Sequence, residues 1–324
     1  MKKRYWIPLT IVGAIWAWNS SLLATPPPKA QAKLLSHRGV HQTFHRQDLT
    51  NQTCTATRID NPRHDLIENT PDSTRAAFNA GADVVEIDIH PTTDGHFVVF
   101  HDWTLDCRTN GTGVTRKQSL AELQSLDIGH GYTADNGETF PLRGKYVGEM
   151  PELADFMRKI PGKKFLINFK SDDPAEGPAF MRFLKENTQV ENQIFAVYGG
   201  ARPTEHVLAA RPGWLGYTKP QTKKCLIEYL AVGWTGIVPE PCKNRLVAIP
   251  ANYSWALWGW PNRFQQRMVD AGSKIILLGP MGLDDPGSTG IDTLEQTSMI
   301  PTDFDGYVWT NRIELIGPHL KRSN

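Results

Sequence analysis

The 324-residue chain carries 35 Lys and Arg against 34 Asp and Glu, a formal charge of +1, and is 40% hydrophobic and 21% charged. This is ordinary globular composition, and without a long basic block it excludes the concentrated positive face that nucleic-acid binders use. Its four cysteines, Cys54, Cys107, Cys225 and Cys242, form no Cys-x-x-Cys pair, which excludes a zinc ribbon or a thioredoxin-like motif and leaves disulfides open for an exported chain.

Met1-Lys2-Lys3-Arg4 is basic, and Ile7 to Trp18 is an apolar run broken by Pro8, Thr10 and Gly13. That is the pattern of a secretory signal, with a small-residue exit at Ala30-Gln31-Ala32. Extended from Trp6 to Ala24, the run reaches about 28 Å as a helix and reads as an uncleaved anchor. Residues 1–32 are therefore expected to be a signal peptide or a membrane anchor followed by the linker Pro26-Pro27-Pro28, and the rest of the chain to lie in a periplasmic or extracellular space.

From Lys33 onward, short apolar runs alternate with helical stretches, the pattern of a parallel sheet wrapped by helices. Strands are expected near 33–36, 83–90, 96–100, 164–169, 193–197, 214–217, 236–238, 274–278 and 306–309, one more than a closed eight-stranded barrel needs. Thr70 before Pro71 caps a helix that runs to Gly81, and Ser119-Leu120-Ala121-Glu122 is a capping box. Further helices are expected over 151–160, 175–187, 204–210, 222–232 and 261–271. Two polar stretches, Val40 to Asp65 and Gly129 to Glu149, exceed ordinary connections and are candidate lids.

Three strand ends gather ionisable groups: His37-Arg38-Gly39, Glu86-Ile87-Asp88-Ile89-His90 and His101-Asp102. Strand alternation puts Glu86, Asp88 and His90 on one face and Val85, Ile87 and Ile89 on the opposite, helix-packed face. Carboxylates inside a barrel need a metal or positive partners, and a pair of them suits a hard cation such as Mg²⁺ or Ca²⁺. Asp94-Gly95 is a two-residue hairpin signal, and folding about it pairs Asp88 with His101. His37 and His101, at strand ends beside the acids, suit general acid and base work.

The ordered set His37-Arg38-Gly39, Glu68-Asn69-Thr70, Gly81, Glu86-Ile87-Asp88, Thr93-Asp94-Gly95, Val98-Val99, His101-Asp102, Arg108 to Gly113 and Gly306 to Asn311 resembles the glycerophosphodiester phosphodiesterase family. The resemblance implies a TIM-type (β/α)8 barrel, one domain over residues 33–324 with long polar insertions at the active-site rim. It implies a divalent metal, Mg²⁺ or Ca²⁺, and hydrolysis of glycerophosphodiesters to glycerol 3-phosphate and an alcohol. Glu86 and Asp88 then resemble metal ligands, His37 and His101 the acid and base pair, Arg38 a phosphate clamp, and Glu68 a group near the metal or its waters.

One strand departs from the family pattern. Phe165-Leu166-Ile167-Asn168-Phe169-Lys170 carries Asn168 where the resemblance calls for a third acidic metal ligand. An amide oxygen can bind Mg²⁺ or Ca²⁺, though the site loses a negative charge. Lys170 faces the same way and resembles a second positive group for the phosphate. Sphingomyelinase D-like barrels share the layout, which leaves a choline or single-chain phospholipid substrate open, as well as a noncatalytic headgroup-binding protein with an altered metal site. On the family layout Cys54 and Cys107 both lie near the rim, where a disulfide would tie the insertion down. His41 and His45 have zinc-compatible helical spacing but no third ligand follows, so a polar lid is expected there, and Trp255, Trp258, Trp260 and Trp309 are expected to pack in the core.

Overall fold

Runs rich in Val, Ile, Leu and Phe, flanked by Gly and Asp, set the strands of the computed structural model, which describes residues 6–26, 30–50, 52–282, 285 and 287–322. They are β1 (Lys33–His37), β2 (Val84–Pro91), β3 (Phe97–Val99), β4 (Lys164–Phe169), β5 (Ile194–Gly199), β6 (Leu215–Tyr217), β7 (Leu246–Pro250), β8 (Lys274–Leu278) and β9 (Tyr307–Thr310). Eight of them run parallel in the order β6-β5-β4-β2-β1-β9-β8-β7, while β3 pairs antiparallel with β2 outside this path. The end strands β6 and β7 lie side by side without a ladder, so the sheet is a nearly closed barrel.

The helices are α1 (Trp6–Asn19), α2 (Pro71–Asn79), α3 (Leu120–Gln124), α4 (Leu153–Arg158), α5 (Glu176–Glu186), α6 (Thr188–Glu191), α7 (Ala201–Ala210), α8 (Lys219–Val232), α9 (Asn262–Asp270) and α10 (Ile313–Arg322). Thr70 caps α2 through Ser73 N–H, and Ser119 and Glu122 form the expected capping box. Helix α8 begins three residues before the expected start because Thr218 and Gln221 form a second box.

Side chains on β2 divide as alternation requires. Val85, Ile87 and Ile89 join the large apolar cluster between sheet and helices, whereas Val84 joins the barrel interior with Leu35, Leu166, Ala248, Ile276 and Trp309. A third cluster, around Ile67, Val98, Phe100, Leu123, Tyr132 and Leu142, fills the rim insertions. Disulfides join Cys54 to Cys107 within those insertions and Cys225 on α8 to Cys242 before β7.

Three expectations need correction. Residues 236–238 are not a strand: Gly236, at φ +91°, ends a 3-10 turn, and the barrel strand is the short run Leu246-Val247-Ala248-Ile249-Pro250, which the sequence reading passed over. The hairpin after β2 is shifted by one residue, pairing Ile89 with Val99 and His90 with Val98, because Thr93-Asp94-Gly95 makes a three-residue loop with Gly95 at φ +90°. Phe100, not His101, therefore donates its N–H to Asp88 O, at 3.0 Å. Finally, the apolar N-terminal run forms a helix of 14 residues, shorter than the span from Trp6 to Ala24, and among the described residues no helix is long and apolar enough to cross a membrane.

Candidate active site

Parallel register assembles the site. His37 pairs with Glu86 across β1 and β2, Asp88 with Asn168 across β2 and β4, and Asn168 with Tyr198 across β4 and β5. Arg38 leaves β1 in the left-handed region (φ 59°) and Gly39 follows at φ 84°, turning the guanidinium back over the strand ends. A Cβ at Gly39 would stand 2.6 Å from Ser73 Oγ on α2, so this position requires glycine.

Glu86 and Asp88 are fully buried and sit in different surroundings. Glu86 Oε1 accepts from Tyr198 OH at 2.7 Å, while Oε2 has no hydrogen-bond partner and lies 3.7 Å from His37 Nε2. Burial and the neighbouring Asp88 push the Glu86 carboxyl up to about 8. Asp88 accepts from Asn69 and Asn168, with Arg38 Nε at 3.0 Å and Lys170 Nζ at 3.3 Å. Burial opposes its ionisation, but Lys170 and Arg38 outweigh it and hold Asp88 well below the usual carboxylate range.

The two histidines are held in one tautomer each. Asn311 donates its amide to Asp292 Oδ2 at 2.8 Å and Ser288 O at 3.0 Å, which orients its oxygen toward His37 Nδ1 at 2.6 Å. His37 Nδ1 is thus the donor and Nε2 carries the lone pair. His101 Nδ1 faces Asp102 Oδ1 at 2.6 Å, and Asp102 Oδ2 accepts from Arg108 Nε at 2.8 Å. Burial, helped by Arg38, lowers both histidine pKa values, His37 the more strongly.

Glu68 accepts from Arg38 and lies 3.1 Å from Arg108, bridging the two guanidiniums rather than standing among the carboxylates of β2. His90 continues the row of Glu86 and Asp88 but turns its ring to the His101 carbonyl, 3.4 Å away. Of the lid histidines, His41 is buried at 6.5 Å from the His37 ring, and His45 is exposed off any helix. Trp309 lies against the His37 ring at 4.8 Å and Trp260 packs on Phe264, as expected of core residues, whereas Trp255 is 78% exposed.

The glycerophosphoryl diester phosphodiesterase family profile matches residues 37–203, which contain every one of the candidate site residues read from the sequence. The chain belongs to this family. It is 39% identical over 108 residues to the glycerophosphodiester phosphodiesterase of Caldanaerobacter subterraneus subsp. tengcongensis, covering 32% of this chain and 40% of that protein. The glycerophosphoryl diester phosphodiesterase domain of an uncharacterized Mycobacterium tuberculosis protein superposes with a TM-score of 0.60 at 14% identity, over 91% of this chain and all of that one. An Oleispira antarctica phosphodiesterase, solved in complex with the product sn-glycerol-3-phosphate, superposes with a TM-score of 0.54 at 17% identity, over 90% of this chain and 97% of that one. The solved structures share the barrel, and the chain spans about two fifths of the length of the curated relatives it matches.

Within this phosphodiesterase-family barrel, Asn168 stands beside Asp88 at the third position of the expected metal set. Asn168 turns its amide nitrogen, not its oxygen, to Asp88. Among the described residues no group of three or more His, Cys, Asp and Glu side chains is arranged to hold a metal ion. The donor set nevertheless fits a divalent cation. Glu86 Oε2 is a buried carboxyl oxygen without a hydrogen-bond partner, and Glu68, Glu86, Asp88 and Asp102 are faced by Arg38, Arg108 and Lys170 and by the imidazoles of His37 and His101. Tyr198, Asn311 and Asp292 were missed as functional residues. The run Thr310-Asn311 belonged to the resemblance, but nothing in its spacing to His37, 274 positions away, signalled the contact.

Proposed function

We propose that this protein hydrolyses glycerophosphodiesters to glycerol 3-phosphate and an alcohol, with His37 and His101 as base and acid. The observation that carries the reading is two tautomer-fixed imidazoles, His37 buried and His101 partly buried, flanking a carboxylate pair with Arg38 and Lys170 beside it. His37, kept neutral by burial and by the neighbouring Arg38 charge, presents Nε2 to accept the proton of the attacking water, or of a neighbouring substrate hydroxyl whose cyclic phosphate water then opens. His101, whose Nδ1 faces the Asp102 carboxylate, is the imidazole whose charged form has a stabilising partner, so it delivers a proton to the leaving oxygen. Arg38 and Lys170 neutralise charge gathering on the phosphoryl oxygens, and Glu68 with Arg108 holds Arg38 in place.

A divalent cation, Mg²⁺ or Ca²⁺, belongs to this reading. Glu86 and Asp88 would hold it, with Asn168 contributing its amide oxygen once the amide has turned over. It would supply Lewis-acid polarisation of the phosphoryl group. Charge supports it: a divalent cation that displaces the Glu86 proton leaves Glu68, Glu86, Asp88 and Asp102, with Arg38, Arg108, Lys170 and the cation, one unit positive toward a monoanionic phosphodiester.

Export to a periplasmic or extracellular space, directed by the N-terminal segment, completes the proposal, supported by the basic start and apolar run and by two disulfides. The test is product identity. Glycerophosphocholine, glycerophosphoethanolamine and lysophosphatidylcholine are incubated with the full chain and Mg²⁺, Ca²⁺ or chelator. Metal-dependent release of glycerol 3-phosphate from the first two supports the assignment; release of choline from lysophosphatidylcholine alone transfers it to a lysophospholipase D-like activity, and binding without turnover to a headgroup-binding protein.

A further inference from the structure

Helix α1 has only Thr10 and Asn19 as polar residues, and Val12, Trp16 and Trp18 on it are each more than half exposed. The base of the helix, by contrast, is built into the barrel. Trp18 donates its indole N–H to Thr235 O at 3.1 Å, and Asn19 donates to Trp234 O at 2.8 Å. Arg267 on α9, only 8% exposed, donates to Asn19 Oδ1 at 3.0 Å and Trp18 O at 3.3 Å as well as to Tyr229 and Gly233 of the barrel wall. Ser21 Oγ accepts the Asn262 N–H at 2.9 Å, and Gly236 leaves room for Trp18, whose Nε1 would stand 2.6 Å from a Cβ there. Beside this joint, Leu230, Val232, Trp234, Ile237 and Trp258 form an exposed apolar face, tied together where Trp258 donates to Leu230 O.

Three features select the occupant of this surface. A helix apolar all round suits lipid, whereas a protein groove takes a one-sided stripe. The sequence Lys2-Lys3-Arg4 precedes the helix, and basic charge beside an apolar segment complements anionic headgroups. Tryptophans gather at the other end, on α1 and the adjoining wall, where indoles favour the boundary between hydrocarbon and water. At 14 residues α1 is about 21 Å long, less than the roughly 30 Å hydrocarbon thickness, and with its basic and tryptophan ends both at headgroup level it lies along the lipid boundary.

We propose that the N-terminal segment is retained in the exported protein and that α1, with the tryptophan face beside it, seats the barrel in an anionic lipid bilayer. The seating deepens the export reading above and is independent of hydrolysis, which is assayed separately. The full chain is produced in an exporting bacterial host, its intact mass is measured, and it is floated with vesicles of phosphatidylglycerol and phosphatidylethanolamine, some brominated in the acyl chains. The expected results are a mass that includes residues 6–24, flotation with the vesicles, and quenching of tryptophan fluorescence by brominated lipid. Trp16→Glu and Trp234→Glu, both at exposed positions, are expected to reduce flotation at least tenfold while keeping the melting temperature and the hydrolysis rate on soluble glycerophosphodiesters. A mature chain beginning after Ala32, flotation unchanged in both variants, or a dimer in solution that ignores vesicles would each overturn the proposal.

Discussion

Asn168 donates its amide to Asp88 Oδ1 over 2.8 Å, so the side chain expected to share a cation with Asp88 instead satisfies it directly. Together with Lys170, Arg38 and Asn69, it gives the buried Asp88 a full set of partners without a metal, while Glu86 Oε2 keeps none. The proposed ligation of a cation by Asn168 would require it to exchange a donor for an acceptor.

From this exchange follows the first prediction. Asn168→Glu removes the donor and adds a carboxylate, which should tighten Ca²⁺ or Mn²⁺ binding about tenfold or more, since affinity at such sites follows ligand charge. The same variant in chelator should melt several degrees below wild type, because a second carboxylate then faces the buried Asp88. Calorimetric titration and thermal unfolding with and without chelator measure the two effects; unchanged affinity would remove Asn168 from the metal position.

The pH dependence of metal-free stability has a definite sign. Glu86 keeps its proton in the folded state up to about 8 but releases it near 4.5 when unfolded, so its contribution is full below 4.5 and is lost as pH rises through 8. His37 and His101 have lowered folded pKa values, so their contribution is full above about 6.5 and is lost as pH falls. Stability in chelator should therefore peak near pH 6.5 and decline toward pH 8. A saturating divalent cation replaces the Glu86 proton and should abolish that decline. Melting temperatures across pH 5 to 9 with and without metal check both statements.

Much of the site could be read from the sequence because it is local. His37-Arg38, Glu86-Ile87-Asp88 and His101-Asp102 each sit at one strand end, and alternation alone placed both acids inside the barrel. What escaped was fixed by neighbours distant in the chain. Asn311 reaches His37 only because β9 closes beside β1, and Tyr198 reaches Glu86 only across β4. β7 was passed over because its five residues, ending in proline, carry no alternation, the two-sided burial of a barrel strand making a continuous apolar run. The hairpin register failed at Thr93, where the loop took one residue more than the Asp-Gly signal demands.

Asp102 is a positioning residue for His101, and Asp102→Asn should show it. The amide cannot support the imidazolium as the carboxylate does, so kcat should fall by about 10² or more. KM should change little, and the alkaline limb of the pH–rate profile, which reports the proton donor His101, should move to lower pH, a shift that a merely structural loss would not produce.

Reduction of Cys54–Cys107 should act on both stability and activity. The bond closes a loop of 53 residues, and its removal in Cys54→Ser/Cys107→Ser should cost about 2 to 5 kcal/mol in a denaturant melt. The flanking residues Thr55 and Arg108 are hydrogen-bonded at 2.6 Å, and Arg108 anchors both Asp102 and Glu68. Turnover should therefore decline in the folded double variant; full activity would show that the rim insertion is held without the disulfide.

The most direct test of the catalytic account is the initial rate of glycerol 3-phosphate release by the wild-type chain, His37→Ala and His101→Ala, each with saturating metal and each verified as folded by its melting transition. The account predicts measurable release by the wild type and a loss of about 10² to 10⁴ in either variant. Rates within a few-fold of wild type in a folded His37→Ala or His101→Ala protein would contradict it.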